Sequence, residues 1–127
     1  EKIYKAIDAG LVASCHDCSE GGLAVALAEM AFSGGLGVMT DLKGLPKTDD
    51  CANLAAQLFS ESCSRYVVEV TPAKFNDFAK MMLGVPFGQI GKVIEVKNLI
   101  IKDSTGKNII DAEIGSLKDA WLKPLKW

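Results

Sequence analysis

The chain has 127 residues, 49% of them hydrophobic and 24% charged, which is enough apolar material for one buried core. Its formal charge is −2, with four lysines against nine acids in residues 1–63 and ten basic residues against seven acids in 64–127. Acids interleave with the basic residues, so no clustered basic face points to nucleic acid. No helical stretch approaches the roughly 20 apolar residues of a membrane span.

The chain opens on Glu1, without a basic segment leading into an apolar one, and reads as one domain cut from a longer polypeptide. From Glu1 to Ala9 the apolar residues Ile3, Tyr4, Ala6 and Ile7 recur at helical spacing, and Gly10 stands where a helix C-cap belongs. The short apolar run Leu11 to Cys15 leads into a polar, flexible segment, His16 to Gly22. Leu23 to Phe32 predicts a helix that is apolar almost all round and therefore interior, with alanines for close approach. Ser33-Gly34-Gly35 ends it.

Leu36 to Leu42 predicts a strand, followed by a loop through Pro46. Asp49 or Asp50 is the expected cap of a helix from Cys51 to about Phe59. Arg65 to Thr71 then predicts a strand with Tyr66, Val68 and Val70 on one face. Thr71 and Pro72 fit the N-cap and first position of another helix, whose buried stripe is Phe75, Phe78, Ala79, Met82 and Leu83. Val85 to Val96 reads as strand, with Gly88 and Gly91 marking a bulge or close backbone passage. Leu99–Ile101 and Ile109–Ile110 flank Asp103-Ser104-Thr105-Gly106, a hairpin signal. Ser116 with Asp119 resembles a capping box for a last helix, with Trp121 as a core anchor. Strands interleaved with helices, ending in a hairpin, predict an α+β domain built in α/β/α layers around a mixed, mainly antiparallel sheet.

Cys15, Cys18, Cys51 and Cys63 match reduced intracellular thiols better than a disulfide scaffold. Cys15 and Cys18 enclose His16 in a C-x-x-C, a spacing shared with redox pairs and half zinc sites. Only Cys51 and Cys63 remain as further ligands, at no recognised spacing, so the expectation is mostly buried, inert thiols.

The chemistry concentrates in His16 to Leu23, where a strand end, two glycines and a helix start meet within eight positions. Such a junction leaves unpaired backbone N–H groups, and the glycines let an anion approach them. Asp17 and Glu20 would repel a bare anion but suit hydroxyls, amines or Mg²⁺. The simpler reading, favoured by spacing alone, makes Ser19 a helix cap with Asp17 and Glu20 at the positive end of the helix dipole. His16 reads as a hydrogen-bonded structural residue more readily than as a catalytic base.

His16-Asp17-Cys18-Ser19-Glu20-Gly21-Gly22-Leu23 resembles the H-D-x-S-[DE]-G-G-L signature in the second half of the large subunit of phosphoribosylformylglycinamidine synthase. Leu58 to Tyr66 is similar to that family's F-[SG]-E-S-x-S-R-[FY] segment, and Gly88 to Val93 to its G-x-I-G-x-V strand. The resemblance implies a fold like the C-terminal domain of aminoimidazole ribonucleotide synthase, over residues 1–127. It also implies a cytoplasmic ligase of purine biosynthesis that converts formylglycinamide ribonucleotide to the amidine with ATP and glutamine-derived ammonia.

On the same resemblance the substrate-binding residues are His16, Asp17, Ser19, Glu20, Gly21, Gly22, Leu23, Glu61 and Ser62, with no catalytic residue or metal ligand in this part. ATP and Mg²⁺ would be held mainly outside it, on an N-terminal-type ATP-binding domain of the same chain. A glutaminase would be the other partner, and this part alone would be inactive. Arg65 is open to two readings, a phosphate contact or a surface pair with Glu61. Gly22→Val would block the cradle while leaving the fold intact. The remaining alternatives are another ATP-dependent enzyme of the superfamily (aminoimidazole ribonucleotide synthase, thiamine-monophosphate kinase or selenophosphate synthase type), a non-enzymatic phosphate-binding module, and a Cys/His metal protein.

Overall fold

The computed structural model describes residues 1–48, 51 and 53–125. The first helix, α1 (Lys2–Asp8), ends where Gly10 takes a left-handed φ of 66°. Gly10 N–H then bonds Ile7 O and Leu11 N–H bonds Ala6 O, which satisfies two orphan carbonyls of the helix end. Strand β1 (Ser14–Asp17) follows and takes in His16 and Asp17, so the first two residues of the segment expected as flexible are sheet.

Helix α2 (Gly22–Gly34) is the hub of the domain. Leu23, Ala24, Ala26, Leu27 and Ala31 are buried, as its all-round apolar sequence predicts. It touches both sheets and two helices, α3 (Leu54–Phe59) and α5 (Ile114–Leu122). Three further strands, β2 (Gly37–Asp41), β3 (Tyr66–Glu69) and β4 (Gly91–Ile94), lie between α2 and the terminal hairpin of β5 (Asn98–Lys102) and β6 (Asn108–Glu113).

The strands divide into two sheets instead of one. β1 pairs antiparallel with β3, aligning His16 with Val67 and Asp17 with Tyr66. The larger sheet has the order β4-β2-β5-β6, antiparallel except between β2 and β5. This is the α+β, mainly antiparallel architecture expected, with the smaller sheet set apart to carry the His16 segment.

Two clusters hold it together. Leu23, Leu27, Leu42, Leu58, Leu99 and Ile101 form the main core between α2 and the larger sheet. Ala6, Phe78 and Met82 form a smaller one beneath Val68 and Val70. Phe78 and Met82 come from helix α4 (Phe75–Met81) and its end, entered through a 3₁₀ turn at Pro72–Lys74. Leu83, expected in the same stripe, is 72% exposed. Tyr66, expected beside Val68, is also half exposed, because its register partner is the exposed Asp17 at the sheet end.

Several termini differ from expectation because a cap is set by which amide a side chain reaches. Asn53 Oδ1 accepts from Ala55 N–H at 2.8 Å and starts α3 three residues after Cys51; Asp49 and Asp50 lie outside the described residues. Glu113, not Ser116, caps α5 by accepting from Gly115 and Ser116 N–H, and those bonds hold its carboxyl below the usual range. Thr71 makes no side-chain cap bond. Trp121 is half exposed: its ring lies 5.8 Å from Phe32 and its indole N–H donates to Glu29. The stretch expected as one strand from Val85 is regular only from Gly91. The close passage read from its glycines is real, since a Cβ on Gly88 or Gly91 would strike the carbonyl of Gly44 or Met39.

Candidate functional site

The turn between β1 and α2 is built by its own backbone. Gly22 N–H bonds Ser19 O at 3.1 Å, and Gly21 sits at φ 75°, ψ 4°, the geometry of the third position of a type II turn. The helix begins at Gly22 with no side-chain cap, so neither Ser19 nor the acids fill that role. Asp17, Ser19 and Glu20 are exposed, whereas Gly22 and Leu23 are buried.

The second motif packs directly onto this turn. Gly21 N–H donates to Glu61 Oε1 at 3.0 Å, across 40 positions of sequence. Gly22 lies so close to the chain at 58–60 that a Cβ there would come within 2.7 Å of Ser60 O and 2.8 Å of Phe59 C. Cys18 N–H completes the junction by donating to Arg65 O at 2.9 Å. The glycine pair therefore serves an internal contact between two parts of the chain. Of the amides expected to be free, those of Gly21 and Gly22 already have acceptors, and a ligand reaches the first only by displacing Glu61.

Arg65 forms no ion pair with Glu61 among the described residues. Its Nη1 donates to Ser60 O at 3.1 Å, Ser60 Oγ at 2.7 Å and Ser62 Oγ at 3.3 Å, and its Nη2 to Gln57 O at 3.4 Å. Beside it a cleft of about 450 Å³ is bordered by Lys47, Thr48, Gln57, Ser60, Ser62 and Arg65. Lys47 and Thr48 carried no signal in the sequence. A larger cleft, about 510 Å³, lies along β2 and β4 and borders the third motif only at Gln89–Lys92.

His16 points to α2. Its Nε2 is 2.8 Å from a Glu29 oxygen, and Nδ1 is 2.7 Å from Asp17 O. Because Glu29 also accepts from Trp121, a polar chain runs from β1 through α2 to α5. That gives His16 a structural task, and nothing in the geometry aims it at the 450 Å³ cleft.

All four cysteines are free thiols, and only Cys18 is fully buried; Cys15 and Cys63 are exposed, contrary to expectation. Partial loss of solvent around its sulfur, aided by the Asp17 charge, raises the Cys15 thiol above its ordinary value. Burial likewise raises Cys18, opposed by Arg65 and helped by Asp17. Since the thiolate is the nucleophile, iodoacetamide near neutral pH is expected to label both more slowly than a free model thiol. Labelling should accelerate as pH rises into the alkaline range. Mass-resolved kinetics showing Cys15 reacting as fast as the model thiol would contradict this. Among the described residues no three His, Cys, Asp or Glu side chains gather as a metal site.

The family model for "AIR synthase related protein, C-terminal domain" matches residues 1–104. The chain belongs to this family. The phosphoribosylformylglycinamidine synthase subunit PurL of Caldanaerobacter subterraneus subsp. tengcongensis is 39% identical over 129 aligned residues and all of this chain. The PurL subunit of Deinococcus radiodurans is 40% identical over 94% of it. The chain spans 16% of the length of each of these relatives. Solved structures of Thermotoga maritima PurL, complexed with ATP or with FGAR, match 91% of the chain at a TM-score of 0.81 and 23% identity, covering 20% and 19% of their own chains. Its mixed α+β fold is thus that of the AIR synthase related C-terminal domains.

Proposed function

We propose that this AIR synthase related domain is the substrate-binding C-terminal part of a phosphoribosylformylglycinamidine synthase of de novo purine biosynthesis. The enzyme converts formylglycinamide ribonucleotide to the amidine: phosphorylation turns the amide oxygen into a leaving group, and ammonia from a glutaminase replaces it. One observation carries the reading: two motifs 40 residues apart are joined at Gly21–Glu61, and the second of them borders a cleft through Ser60, Ser62 and Arg65. Relatives that align with the whole chain and bear this enzyme's name support it.

The chain's own part is to bind and orient. Lys47, Ser60 and Ser62 border the cleft, Glu61 stands between the two serines in sequence, and the turn that Glu61 bonds exposes Asp17, Ser19 and Glu20. Carboxylates and hydroxyls at the turn accept from the ribose hydroxyls and amide N–H groups of the substrate, and the lysine attracts its phosphate. His16 and Leu23 support the turn from behind. On the family resemblance, ATP and Mg²⁺ belong to the N-terminal-type domain, without which this part binds but does not turn over.

Titration of the ¹⁵N-labelled chain with formylglycinamide ribonucleotide tests this. The amides of Ser19 to Gly21 and of Ser60 to Ser62 are expected to move first. Saturable binding that perturbs only the β2–β4 cleft, or no binding at millimolar substrate, would overturn the assignment.

A further inference from the structure

The chain has one arginine, and it lies in the second motif with its guanidinium turned inward. Gln57 O and Ser60 O belong to the last turn and C-cap of α3, where carbonyls lack helical partners, and the fork of Arg65 collects both. The same fork takes the hydroxyls of Ser60 and Ser62, the two residues flanking Glu61. Between them and Arg65 stands Ser64, at φ 64° the one non-glycine residue with positive φ among those described. A left-handed serine persists only where its surroundings enforce it. The main chain of Arg65 meanwhile accepts from Cys18 N–H, so this residue grips both motifs at once.

We propose that Arg65 is the positioning residue of the candidate site: its guanidinium folds residues 60–64 so that Glu61 reaches Gly21 N–H. This deepens the substrate-binding reading and rests on it for its functional meaning. A lysine cannot substitute, because one ammonium lacks the planar fork that bridges four acceptors on two sides. Were Arg65 instead held for its charge, as a phosphate contact, lysine would serve nearly as well.

The Gly21 amide proton reports the contact directly, with no substrate present, so this test and the titration above fail independently. In the intact chain, Arg65→Lys is expected to move the Gly21 amide resonance upfield, covering most of the displacement produced by Glu61→Ala. The double variant should add nothing further, as for two changes that break one contact. Methyl resonances of Leu42 and Ile101 in the core should stay in place. An unmoved Gly21 amide in folded Arg65→Lys, or additive displacements in the double variant, overturns the proposal. If Arg65→Lys fails to fold, Ser60→Ala decides: it removes only the 2.7 Å hydroxyl acceptor and should shift Gly21 the same way by less. No shift in that variant refutes the positioning role.

Discussion

Gly22→Val is expected to destabilise the domain by about 3–5 kcal/mol, lowering its thermal midpoint by roughly 10–20 °C. Two costs add. A β-branched residue at φ 63° is strained by itself, and its Cβ would stand 2.7–2.9 Å from Ser60 O, Phe59 C and Leu58 O. All three are backbone atoms, which cannot swing aside as a side-chain tip would. Gly10→Ala is the control, since Gly10 has a similar φ of 66° but nothing within 4 Å, and it should lose only the conformational part, about 1 kcal/mol. Melting curves by circular dichroism measure both. A Gly22→Val midpoint within a few degrees of the wild type would show that the two motifs are not in contact. The expectation from sequence, an intact fold with a blocked cradle, is corrected here: this glycine joins two parts of the protein before it serves any ligand.

Ile101→Ala is expected to cost about 3–4 kcal/mol, with an unchanged denaturant slope. Ile101 is fully buried on β5, aligned with Thr40 of β2 on one side and Ile110 of β6 on the other, and it closes the core against α2. Neighbours fixed in two flanking strands cannot collapse into the space a truncated side chain leaves. Ile100, on the opposite face and only half-buried, should lose distinctly less on the same substitution. Urea unfolding of the two variants makes the comparison; equal losses would mean that the sheet buries both faces alike.

Motifs and local elements were readable in the residues. The apolar, alanine-rich run at Leu23–Phe32 needs no partner to declare an interior helix, and Asp103–Gly106 announces its turn, where Asp103 Oδ1 accepts from the amides of Thr105 and Lys107. Caps were less readable. Asn53 and Glu113 took roles expected of other residues because capping depends on a few ångströms of reach. The partners of the site residues were not readable at all: Arg65 was open to a phosphate contact or a surface pair with Glu61, and its guanidinium bonds the end of α3 and the serines beside Glu61.

By itself, then, the order of residues determined most of the helices and strands, and which three motifs carry the family resemblance, because those properties depend on neighbours a few positions apart. Only the tertiary structure decided what the motifs do to one another. β1 meets β3 across some fifty intervening residues, and that pairing carries Glu61 to Gly21 and Ser60 to Gly22. No local periodicity encodes such a meeting, since it is settled by which apolar faces can be buried together.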